Sequence, residues 1–119
     1  MLNNILSTGQ IFVPYNAKIA DITHADTNLH TLTLANAAGT GAIAGETRKI
    51  VALAIDANRV AGTGNFYVYP NEGVNTYNAT WGSEGEMVVI ANGTQRFQYS
   101  LTVNNDDFDI YCLGYVVEA

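Results

Sequence analysis

Two histidines lie among carboxylates near the N-terminus: His24 between Asp21 and Asp26, and His30 a few residues on. Imidazole and carboxylate together can ligate a metal, but a zinc site needs three or four donors at set spacing. Asp21, His24 and Asp26 instead read as a polar loop of caps and turns. His30 sits in an alternating stretch and reads as a packed surface or interface residue. The run Asn104-Asn105-Asp106-Asp107-Phe108-Asp109 is the best calcium candidate, with Asp106, Asp107 and Asp109 as oxygen donors. No bidentate Glu follows at EF-hand spacing, and clustered Asn and Asp make tight turns. The run is therefore expected to be a turn, and no metal or cofactor is assigned.

Catalytic chemistry finds little support. Covalent hydrolysis needs a nucleophile, a base and an orienting group, and Ser7, Ser83 and Ser100 have no motif around them. Cys112 lies in an apolar run, where a thiol is an inert core residue. Glu84 and Glu86 could form a carboxylate pair, but Gly85 and the turn context suggest a solvated corner. Gly62-Thr63-Gly64 and Gly39-Thr40-Gly41 lack the Gly-Lys-Ser/Thr ending of a phosphate loop. Asn78-Ala79-Thr80 and Asn92-Gly93-Thr94 match the glycosylation sequon without a secretion signal beside them. The expectation is a protein that is not an enzyme. What leans towards binding is the aromatic set Tyr67, Tyr69, Tyr77 and Trp81, followed by Tyr99, Tyr111 and Tyr115. Rings with a polar tip suit protein interfaces and sugar stacking alike.

The elements that would position these residues read as strands. Residues 10–14 form an apolar strand that Pro14 closes, since proline belongs at a strand end or edge; residues 18–22 form a second. In residues 28–35, Thr31 and Thr33 face one way and His30, Leu32 and Leu34 the other. Residues 48–56 are apolar on both faces, with Ile50, Ala52 and Ala54 on one side and Val51, Leu53 and Ile55 on the other. That predicts a central strand or a subunit contact. Asn58-Arg59 and residues 62–65 are turn signals. Phe66 to Tyr69, residues 86–91, 94–103 and 108–118 complete the strands, with Asn92-Gly93 as a strong hairpin signal. About eight evenly spaced strands with turns between them predict an all-β antiparallel β-sandwich, jelly-roll-like in topology.

Composition limits the partners. The chain has 119 residues, enough for one domain, and only 13% of them are charged, against roughly 25% in ordinary soluble domains. Net charge is −6 and the five cations are scattered, so nucleic acid is not expected as a partner. The single cysteine forbids an intrachain disulfide. No apolar run reaches the ~20 residues of a membrane helix, and no signal peptide is visible. Residues 1–10 read as a short N-terminal arm and residues 11–119 as a single sandwich domain.

The C-terminal half carries a resemblance. It runs Phe66-Tyr67-Val68-Tyr69-Pro70, Trp81-Gly82, Met87-Val88-Val89-Ile90, Asn92-Gly93, Phe97-Gln98-Tyr99-Ser100, then Phe108 to Val116 with Asp109-Ile110-Tyr111 and Leu113-Gly114-Tyr115. Over residues 48–118 it resembles the small jelly-roll domains of tailed-phage virions, namely capsid cement (decoration) proteins and trimeric tail-fibre heads. The resemblance implies a non-enzymatic homotrimer bound to the major capsid protein on the outer capsid surface, made in the host cytoplasm. A fibre head trails a long shaft, so a chain beginning with at most a ten-residue arm fits a cement protein better. Ile50, Val51, Leu53, Ile55, Tyr111, Tyr115 and Val117 are the candidate trimer contacts, and the arm is the candidate grip on a neighbour. The alternative is a receptor- or carbohydrate-binding head or lectin-like module using Tyr67, Tyr69, Tyr77 and Trp81.

Overall fold

The computed structural model describes residues 9–69, 79–81, 84–90 and 95–118, with 79–81 and 84–90 described through their backbone. Strands β1 (Gln10–Thr23), β2 (His30–Thr33), β3 (Ile50–Ala61), β4 (Phe66–Tyr69), β5 (Ala79–Trp81), β6 (Glu84–Ile90), β7 (Arg96–Leu101) and β8 (Asp107–Glu118) build it. There is no helix among the described residues, hence none long and apolar enough to cross a membrane. The strands form two four-stranded antiparallel sheets, in the orders β1-β8-β3-β6 and β2-β7-β4-β5. The chain is all-β, and the two sheets are compatible with a β-sandwich.

Alternation places the core. Phe66 and Val68 of β4, and Phe97, Tyr99 and Leu101 of β7, are buried, as are Phe108, Ile110 and Cys112 of β8. Each takes every second position of its strand, as a face turned to the interior requires. A buried Phe contributes about 1.5–3 kcal/mol through removal of apolar surface from water. On the β2-β7-β4-β5 sheet, the intervening positions Thr31, Thr33, Arg96, Gln98, Tyr67 and Tyr69 are exposed or half-buried, while Ser100 is buried.

Three expectations change. Residues 10–14 and 18–22 are one strand rather than two. Pro14 lies inside β1, which is tolerated because β1 is a sheet edge, and the register with β8 shifts between Pro14 and Ala17. Second, β3 runs through Asn58 and Arg59, and the chain turns only at Gly62. Third, Asn92-Gly93 lies outside the described residues, but the strands it joins, β6 and β7, belong to different sheets. β6 and β7 therefore do not pair with each other as a hairpin would require.

The two-faced reading of β3 holds in outline, with the faces reassigned. Register shifts at Ile50/Ala52 and Ala54/Ile55 bring Ile50, Leu53, Ile55 and Ala57 into the main core. Ala52 joins Val116, Phe12, Val51 and Ala54 in a second, smaller apolar cluster. There the Phe12 ring lies over Gly114, where an added Cβ would meet it at 2.7 Å.

Candidate functional site

The chemistry-bearing side chains gather where the loops after β1, β3 and β7 meet. His24 follows the end of β1 and His30 opens β2. Their rings stack face to face, with centroids 3.5 Å apart and planes within 4°. His24 Nε2 shares a 2.8 Å hydrogen bond with the Tyr99 hydroxyl, and His30 Nε2 donates to Asp26 Oδ1 at 2.8 Å. The same Asp26 oxygen accepts the Asn28 N–H at 3.0 Å. Tyr99 in turn stacks on Phe66 of the core, centroids 5.4 Å apart. Burial, then the neighbouring His30, lowers the basicity of His24. The hydrogen bond from His30, then that from Asn28, holds the Asp26 carboxyl below its ordinary range. The Tyr99 hydroxyl is pushed up by burial. Parallel imidazoles hold their nitrogen lone pairs in separate planes, so the stack does not converge on a metal as tetrahedral ligands would.

Beside it, a glycine loop cradles an anion from the protein itself. Asp106 is 2% exposed, and its Oδ2 accepts the Gly64 N–H at 2.6 Å. Gly62 has φ +105°, and a Cβ there would meet Asp106 Oδ1 at 1.9 Å. Only glycine permits both the backbone angle and the approach. Arg59 closes the same loop, its Nη1 donating to the Gly64 carbonyl at 2.8 Å. Gly62-Thr63-Gly64 thus binds a carboxylate where the sequence showed only a turn.

The calcium candidates separate. Asp106 points into that loop, while Asp107 and Asp109 join Asp21, with carboxylate oxygens of the three within 4.8 Å of one another. The antiparallel register brings Asp21 opposite Asp109. Lys18 Nζ, 3.7 Å from Asp109 and 3.9 Å from Asp21, supplies positive charge to the group. Burial, then repulsion by Asp21, raises the Asp107 carboxyl above its ordinary value, and its Oδ1 is buried without a hydrogen-bond partner among the described residues.

The remaining candidates fall in three places. Ile50, Leu53, Ile55 and Val117 are completely buried and Tyr115 is 4% exposed within a single chain. They fill that chain's own core and have no surface left for a second copy. Val51 and Tyr111 are half-buried. Tyr67 and Tyr69 share one face of β4, and the Tyr69 hydroxyl lies 3.2 Å from Ser100 Oγ. Tyr77, Ser7, Ser83 and most of the N-terminal arm lie outside the described residues, as do the side chains of Trp81, Glu84 and Glu86.

One group escaped sequence reasoning. Glu46, in the β2–β3 loop, is 6% exposed and accepts from the Tyr115 hydroxyl at 2.6 Å and from Arg48 Nη2 at 2.8 Å. The Arg48 side-chain bonds, more than any other cause, pull its carboxyl down to about 2. A Glu two residues before an Arg hinted at an ion pair, but Tyr115 is distant in sequence. Compared with protein-family models and with curated proteins, the chain matches none.

Proposed function

We propose that this chain is a capsid cement protein of a tailed phage, a jelly roll that trimerises and binds the outer capsid lattice. The observation that carries the reading is the interleaved strand order, β1-β8-β3-β6 against β2-β7-β4-β5. That order supports the reading, since it is the one expected if two Greek keys wrap into a sandwich, as in the jelly rolls of capsid and lectin domains. The outer positions of the β2-β7-β4-β5 sheet add support. Thr31, Thr33, Gln98, Tyr67 and Tyr69 make a largely neutral polar surface, suited to lying flat on another protein. With five former candidates in the core, the proposed trimer contact is the smaller apolar cluster around Phe12 and Val51.

Light scattering on the purified protein tests the first half. Three 12.8 kDa subunits give about 38 kDa. The second half is tested by mixing the protein with expanded heads of the encoding phage that lack it, and measuring attachment and head stability. A monomer that ignores the heads overturns the reading. The second reading, a sugar-binding module, rests on Tyr67 and Tyr69 sharing one face of β4. Saturable glycan binding by the free protein would favour it.

A further inference from the structure

We propose that the His24–His30 stack is a pH-operated latch on the β1–β2 loop, closed while at least one imidazole is neutral and opened when both carry a proton. The proposal does not depend on the capsid reading.

The geometry sets the rule. Two rings 3.5 Å apart and parallel can pack as two neutral rings or as one cation on one neutral ring. Two cations at that distance repel across a partly dry contact. His30 donates to Asp26, so a positive charge on His30 sits beside a carboxylate. His24 has no such partner. Its Nε2 faces the Tyr99 hydroxyl; burial opposes a proton there first and His30 second, while Asp26 favours one less strongly. Phe66 backs Tyr99 and carries no charge. The second proton is thus resisted in the closed form and accepted in any form that separates the rings.

The stack is also placed to release something. The His24 carbonyl accepts the Asn105 N–H at 2.7 Å, which ties the β1–β2 loop to the β7–β8 turn. Asp106, the next residue, holds the Gly62–Gly64 loop. Separation of the rings would withdraw His24 from Tyr99 and from Asn105, while the clamp between Asp106 and Gly64 has its own bonds. The sign follows from linkage. His24 binds its proton more weakly when closed, so the latch is secure above the ordinary histidine value near 6.5 and weakens as pH falls below it.

The test is a titration of the isotopically labelled full chain from pH 8 to 4, following both imidazoles by NMR with amide-exchange protection factors. Two imidazole steps separated by about one pH unit or more are expected, as for coupled groups. Protection of the Asn105 amide should fall at least tenfold with the second step only, while Cys112 in β8 keeps its protection. His30→Phe keeps a ring in the stack that cannot be charged, so Asn105 should then stay protected to the acid end. Asp26→Asn removes the charge that favours a proton on His24, so the second step should move to lower pH. Should both imidazoles titrate together at the ordinary value, or Asn105 protection ignore the second step, the latch is overturned. The wild-type titration decides this even if a variant fails to fold.

Discussion

The Tyr115 hydroxyl donates to Glu46 Oε1 at 2.6 Å, fastening β8 to the β2–β3 loop across 69 residues of sequence. Glu46 also accepts the backbone N–H groups of Thr47 and Arg48 and both ends of the Arg48 fork, so one buried carboxylate organises the whole loop end. A hydrogen bond to a charged acceptor contributes about 1.5–3 kcal/mol, so Tyr115→Phe should lose that much in urea unfolding. The Glu46 carboxyl is depressed from 4.5 to about 2. A depressed acid stabilises the fold above its ordinary value and loses that contribution as pH falls. Stability should therefore decline between pH about 4.5 and about 2, by on the order of 2 kcal/mol from this group. Glu46→Gln should flatten that part of the acid profile.

Gly62→Ala should cost about 2–4 kcal/mol, because the new methyl group meets the Asp106 carboxylate and the residue must hold φ +105°. Pairing it with Asp106→Ala should recover the steric part while leaving the Gly64 N–H unpartnered. A double-mutant cycle in denaturant measures the coupling, and simple additivity would show that the two residues do not touch in solution.

Asp107→Asn should raise the melting temperature by a few degrees at pH 7, since the variant removes one of three crowded carboxylates. The Asp107 carboxyl is raised, so the folded chain takes its proton more readily than the unfolded one. The advantage of the variant should shrink as pH falls through the carboxylate range, where wild-type Asp107 is already neutral.

Val51→Glu places a charge in the outer apolar cluster beside Phe12 and Ala54. In the proposed trimer it should yield a folded monomer, read as a fall to about one-third of the mass by light scattering. An unchanged mass moves the contact elsewhere.

Cys112 is completely buried and its thiol is pushed up to about 11 by burial. At pH 8 a disulfide reagent should modify it only as fast as the chain opens, and rapid labelling in denaturant is the control.

Much of the sandwich was legible because strand alternation is local. The sides of Thr31, Leu32 and Thr33, or of Phe66 and Tyr67, follow from period two alone. The faces of β3 were not legible, because a register shift adds one residue and moves Ile50 to the side of Leu53. Pro14 misled for a related reason: its missing N–H fits an edge as well as an end, and which strand lies at an edge depends on the whole sheet. The candidate site was least legible. Asp106 and Gly64 are 42 residues apart, His24 and Tyr99 75, so neither pair leaves a spacing pattern. The chain did announce its reactive types at His24, His30 and Asp26, and only the fold set them in a stack.

The strand order also governs when the molecule can form. Of the six strand pairings among the described residues, β4 with β5 alone joins neighbours in sequence. Every other pairing must close a long loop before any ladder bond rewards it, which predicts folding in milliseconds to seconds rather than microseconds. The dependence is sharpest at β8, which lies between β1 and β3 and supplies Tyr115 to Glu46. Among the described strands, until β8 has left the ribosome β1 has no partner and β3 only β6. Folding therefore waits for β8, and nascent chains stopped before residue 107 should expose their apolar faces and depend on chaperones.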